Sequence, residues 1–202
     1  VEALIKARAD VRSLNSDNVS PLWLAAQNGH TEVVQALTTA GADVQQLDSK
    51  GVSPLWVAAQ NGHTGVVKLL VAELNKLGPV EFKAALNEKG PGGVTTLWQA
   101  AQQGHTGVVK LLVEELNKLG PVEFKAALNQ KGVGGLTVLM IAAEKGHTEV
   151  VKLLVGGLKK LGPVEFKAAL NQKSNGVTAL LRAFHFGKIE VVNLLLEALF
   201  FM

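Results

Sequence analysis

Residues 19–34 read VSPLWLAAQNGHTEVV, and residues 52–67 read VSPLWVAAQNGHTGVV. The block returns in drifted form from Val94, Leu136 and Val177. Trp23, Trp56 and Trp98 share one slot of it, which Met140 and Leu181 fill later, so successive copies lie 33, 42, 42 and 41 residues apart. Self-similarity at such a period marks a repeat architecture. Each copy is a small helical unit that buries its apolar face by stacking on its neighbours.

The chemistry inside the block predicts helix–turn–helix. Ser20, Ser53, Thr95, Thr137 and Thr178 each precede an apolar run, where a hydroxyl accepts from an otherwise orphaned N–H of the first turn. Pro21 and Pro54 follow at the first helical position, where the missing N–H costs nothing. Paired alanines (Ala25 and Ala26, Ala58 and Ala59, Ala100 and Ala101, Ala142 and Ala143) favour helix and let neighbouring helices approach closely. Gly29, Gly62, Gly104, Gly146 and Gly187 then stop the helix in a left-handed conformation. The V-V-x-L-L spacing that follows puts an apolar stripe on a second helix.

These features together resemble the ankyrin repeat, a β-turn followed by a helix–turn–helix. Ser20-Pro21-Leu22-Trp23 and Ser53-Pro54-Leu55-Trp56 stand for its T-P-L-H stretch, and His30 to Val34 and His147 to Val151 for its G-H-x-E-V-V stretch. Gly41-Ala42-Asp43-Val44 matches the usual close of a 33-residue unit. The resemblance implies an all-α solenoid of stacked helix–turn–helix units. The chain is read as one repeat domain over 1–202, with a partial repeat at 1–15 and repeats at 16–48, 49–90, 91–132, 133–173 and 174–202.

Three departures shape further expectations. The longer units run on through L-G-P-V-E-F-K-A-A-L-N, so the second helix should reach about Leu77, Leu119 and Leu161 before a Gly-Pro pair stops it and starts a short third helix. Phe82, Phe124 and Phe166 are expected to stack as a core ladder between units rather than to form an aromatic binding strip. Tryptophan replaces the family's histidine, which puts that histidine's hydrogen-bond network in doubt; burial of the indole is expected over a role as an exposed anchor. At the ends, Arg8 aligns with Gly41, where a non-glycine costs about 1–2 kcal/mol, and Leu199-Phe200-Phe201-Met202 aligns with Leu158-Lys159-Lys160-Leu161. A terminal repeat with an apolar outer end suggests a fragment of a longer array, with a folded-back tail or self-association through this C-terminus as the alternatives.

Between Val94–Lys131 and Leu136–Lys173, 28 of 38 positions are identical, which fits recent duplication or deliberate design. Hydrophobic residues make up 48% of the chain, charged residues 18%, and the net charge is +3. That charge is too weak and too interspersed to indicate nucleic acid. No apolar run approaches a membrane span. Val1 to Arg12 is charged throughout and reads as no secretory signal. The absence of cysteine fits a reducing compartment, so a cytoplasmic location is expected.

No enzyme, metal or cofactor chemistry is expected. His30, His63, His105 and His147 recur one per unit, roughly 10 Å apart if units stack like packed helices, whereas zinc needs nitrogens at about 2.0–2.1 Å from one ion. Nucleophile elbow, P-loop and H-E-x-x-H patterns are missing. The resemblance implies instead a protein or peptide partner on the concave face formed by turn tips and first helices. Carried over to matching positions, that face holds Gln27, Asn28, Lys50, Val52, Gln60, Asn61, Gln102, Gln103, Glu144, Lys145, His185 and Phe186. Two other readings remain open: a structural or engineered scaffold without a natural ligand, and the targeting arm of a larger enzyme or effector.

Overall fold

The computed structural model describes residues 10–200. The expectations placed on Arg8, Phe201 and Met202 lie outside the described residues. The chain divides into two compact units, Val1–Thr96 and Leu97–Met202. Helical repeats build both, and among the described residues β pairing is limited to the isolated antiparallel bridges Lys89–Thr95, Lys131–Thr137 and Ser174–Val177. The observed class is the all-α repeat fold expected from the sequence.

In the first unit, α1 (Pro21–Gln27) and α2 (Thr31–Thr39) form one hairpin. A second comprises α3 (Pro54–Gln60) and α4 (Thr64–Asn75), followed by the short α5 (Pro79–Leu86). The Ser20 and Ser53 hydroxyls accept the N–H groups of Trp23 and Trp56 at 3.1 and 3.2 Å, which fixes where the first helices begin. Val66, Val67, Leu70, Val71 and Leu74 form the buried stripe of α4. Each such side chain contributes roughly 1.5–3 kcal/mol on burial. First helices pack on first helices (α1 on α3) and second on second (α2 on α4).

The second unit repeats the scheme with α6 (Thr96–Gln103), α7 (Thr106–Lys118), α8 (Pro121–Asn129), α9 (Val138–Lys145), α10 (Thr148–Lys159), α11 (Pro163–Leu170), α12 (Ala179–His185) and α13 (Ile189–Phe200). Thr137 and Thr178 cap α9 and α12 by accepting from Met140 and Leu181, both at 3.3 Å. The glycines expected to end first helices (Gly29, Gly62, Gly104, Gly146 and Gly187) all have φ between 66° and 78°.

The second helices end at Asn75, Lys118 and Lys159, one or two residues short of expectation. The last residues tighten into a turn: the N–H groups of Lys76 and Leu77 reach back three residues to Glu73 and Leu74. Gly78, at φ 119°, then turns the chain into Pro79, since the residue before proline avoids the helical region.

Phe82, Phe124 and Phe166 are buried, but the expected ring-on-ring ladder is not formed by Phe124 and Phe166. The Phe124 ring instead reaches the bare backbone of α10, where a methyl group on Gly157 would fall 3.2 Å from its Cζ. Shape matching between an aromatic ring and a glycine replaces aromatic stacking. Nothing in the structure explains the neighbouring Gly156.

The tryptophans are core residues. Trp23, Trp56 and Trp98 are buried, as is Met140 in the same slot. Each indole Nε1–H crosses to the turn of the following repeat: Trp23 donates to the Val52 carbonyl at 2.9 Å, Trp56 to Val94 at 3.4 Å and Trp98 to Leu136 at 2.9 Å. The indole thus combines a large buried area with one directed donor.

Candidate functional site

The ends of the first helices position most of the predicted contact residues. Asn28 closes α1 twice over, since its backbone N–H and its Nδ2 both donate to the Leu24 carbonyl, the side chain at 2.8 Å. Asn61 does the same on α3, with Nδ2 2.9 Å from the Val57 carbonyl. These two asparagines therefore hold a structural bond as well as an exposed position. Helix-end carbonyls are also used. The Gln27 carbonyl accepts from His63 Nε2 and the Gln102 carbonyl from His147 Nε2, both at 2.9 Å. A carbonyl only accepts, so Nε2 carries the proton in both rings. His63 and His147 each tie their repeat to the one before.

In the first unit, Gln27, Asn28 and Asn61 are exposed and Gln60 is half-buried. Lys50 is exposed at the tip of a turn shaped by Asp48, whose Oδ1 accepts the N–H groups of Lys50 and Val52 at 2.9 and 2.8 Å. The Ser49 N–H donates to the Asp17 carbonyl at 2.8 Å, joining adjacent tips. Val52 does not belong to the surface. It is only 5% exposed and its carbonyl receives the Trp23 indole. Gly51, at φ 74°, turns the chain between them, so Lys50 is exposed and Val52 is buried.

In the second unit, Gln103 and Lys145 are exposed, and Gln102 and Glu144 are half-buried. Glu144 is engaged by the next repeat: Arg182 Nη1 lies 2.9 Å from its Oε2, with both side chains largely covered. That pairing makes Glu144 a tie between repeats. Arg182 was missed in the sequence although it carries a signal, because it is a cation in a slot filled elsewhere by Leu24, Val57, Gln99 and Ile141. His185 and Phe186 are exposed and meet edge to face, with centroids 4.9 Å apart and planes at 86°.

Burial raises the pKa of one carboxyl, that of Glu88, above the usual carboxylate range; a hydrogen bond with the Ser53 side chain opposes the shift. Among the described residues, no three His, Asp or Glu side chains gather in a group able to hold a metal ion. No helix among them is long and apolar enough to cross a membrane. The candidate row offers amide hydrogen bonding, the turn-tip Lys50 and the exposed His185–Phe186 pair.

The family model described as ankyrin repeats (3 copies) matches residues 1–79, 76–157 and 122–200. The comparison with curated proteins gives no match.

Proposed function

Because the chain belongs to the ankyrin repeat family, whose repeats are generally protein-interaction modules, we propose that it is a non-enzymatic module for one protein partner inside the cell. The partner meets the first-helix ends and the turn tips, the face that is concave in this family. The reading retains one repeat domain over 1–202, divided as the sequence periodicity suggests.

One observation carries it. In the second unit the helix-end pair, with at least one residue exposed in each repeat, changes from Gln102-Gln103 to Glu144-Lys145 to His185-Phe186, while the alanines just before the first two pairs stay wholly buried. Variation on an exposed row above a constant frame is the pattern a recognition surface requires. Aromatic residues are favoured at the energetic centres of interfaces, which makes the half-exposed Phe186 the expected anchor. Gln27, Gln60, Gln102 and Gln103 supply amide donors and acceptors suited to an extended peptide or loop. Val52 is excluded by its burial, and Glu144 contributes through Arg182 rather than directly.

The experiment is capture of partners from cells of the source organism with this chain and with a variant carrying Gln60→Ala, Gln102→Ala, Gln103→Ala and Lys145→Glu. A protein retained by the parent and lost by a variant of unchanged melting temperature supports this face. Equal retention by both overturns it.

A further inference from the structure

A cavity of about 140 Å³ lies within the first unit, between the chain that leaves α2 and the short α5. Leu55 of α3, Leu74 of α4, Ala84 and Ala85 of α5 and the intervening Val44 form its apolar wall. Its polar groups are Gln45, Ser53 and Glu88. The volume is roughly ten times the 10–15 Å³ that one water needs. Gln45 and Ala84 are exposed, so the space reaches the surface. The first hairpin passes from α2 to α3 without a third helix, so α5 has no earlier third helix to pack against.

The near-duplicate repeats show what is particular to this place. At the same positions 42 and 84 residues further on, Leu55, Leu74, Ala84 and Ala85 recur unchanged. The other four change, and in the same way both times. Val44 gives way to Leu86 and Leu128, Gln45 to Asn87 and Asn129, Ser53 to Thr95 and Thr137, and Glu88 to Gln130 and Gln172. Val44 and Ser53 are each one carbon smaller than their counterparts, and Glu88 puts an acid where the later repeats carry the isosteric amide. Among the described residues no cation forms an ion pair with Glu88. Its raised pKa has burial as the main cause, the behaviour of a carboxyl taken from water without a counter-charge.

We propose that this cavity is a binding site for an alkylammonium group, whose charge pairs with Glu88 while a stem of about four carbons lies against Val44, Leu55 and Leu74. An ammonium brings three donors and no acceptor, and the Glu88 carboxylate and the Gln45 amide oxygen supply acceptors. Two sources offer this group, a free small amine and the lysine side chain of a bound protein. None of the lining residues belongs to the helix-end row proposed for the partner protein, so the two readings are tested separately.

The test is titration of the isotope-labelled whole chain with n-butylammonium, followed by backbone amide shifts. Shifts should centre on Val44, Gln45, Ser53 and Glu88 at millimolar amine. n-Butanol lacks the charge and methylammonium lacks the stem, so both should bind more weakly. Glu88→Gln should weaken n-butylammonium by about tenfold or more, the worth of a hydrogen bond to a charged group. Val44→Leu combined with Ser53→Thr fills the space with the residues of the later repeats. That variant should melt no lower than the parent and lose binding. Absence of localised shifts in the parent overturns the proposal, as does n-butanol or methylammonium matching n-butylammonium. Undiminished binding by Glu88→Gln or by the filled variant overturns it as well. With the site upheld, Nα-acetyl-lysine amide separates the sources: binding as tight as n-butylammonium supports a protein lysine, and its exclusion supports a free amine.

Discussion

A methyl group on Gly29 would fall 2.6 Å from Nδ1 of His63: the imidazole of one repeat rests on the bare backbone of the repeat before it. Gly104 and His147 stand in the same relationship at the same distance. Glycine is therefore required twice at this position, for its positive φ and for the ring above it.

Gly104→Ala and Gly187→Ala separate these two requirements. Gly187 has φ 66° with nothing within 4 Å of the added methyl, so its substitution carries only left-handed strain, about 1–2 kcal/mol. At Gly104, φ 78°, the methyl also displaces His147 and its bond to the Gln102 carbonyl, a further loss of about 0.5–1.5 kcal/mol. Urea denaturation should give the larger loss for Gly104→Ala. Equal losses would mean that the imidazole swings aside freely.

Trp56→Ala should destabilise by about 3–5 kcal/mol, as large-to-small changes in a packed core do. Gly90→Ala should also destabilise, although its φ of −84° is open to any residue. Its methyl would fall 2.7 Å from the Trp56 Nε1. Thermal denaturation reads both, and an unchanged melting temperature for Trp56→Ala would contradict the buried role of the indole.

The adjacent glycines of α10 should respond with opposite signs. Gly156 is exposed with open space around it, so Gly156→Ala should stabilise by about 0.5–1 kcal/mol through helix propensity alone. Gly157→Ala forces its methyl to within 3.2 Å of Phe124 Cζ and 3.4 Å of Val113 Cγ1, and should lose stability. A stabilising Gly157→Ala would show that Phe124 repacks without cost.

Glu88 introduces a pH dependence. Its carboxyl holds its proton more tightly when folded than when unfolded, because burial disfavours the charge. Its contribution is therefore fully present below the ordinary carboxylate range and is lost as pH rises through the raised folded value. Gln130 and Gln172 occupy the same place in later repeats. Glu88→Gln should be more stable than the parent at neutral pH, with the advantage shrinking toward pH 4. A difference in melting temperature independent of pH would contradict this assignment.

What one repeat does by itself was legible in the sequence. Ser20 and Ser53 as caps, Gly-Pro as the start of the third helix, and Trp in the core all follow from local spacing and bulk. What one repeat does to the next was not. The seating of His63 on Gly29, of Phe124 on Gly157 and of Arg182 on Glu144 joins residues more than 30 positions apart, and periodicity does not say which side chains meet. Val52 was misplaced for the same reason, because a residue near a turn tip can face either way. Asn28 and Asn61 are exposed and also bond their own helices.

The indole bonds end on main-chain carbonyls, which every residue possesses, whereas Arg182 needs the Glu144 carboxylate in particular. The tryptophan bonds themselves are thus indifferent to the side chain of the residue that receives them, although the Trp56 seam also needs the bare backbone of Gly90. Whole repeats could be copied, lost or exchanged without spoiling those bonds, while the repeat carrying Arg182 is keyed to one predecessor. The backbone-directed tie is thereby a standard coupling, suited to a chain whose neighbouring repeats are near duplicates.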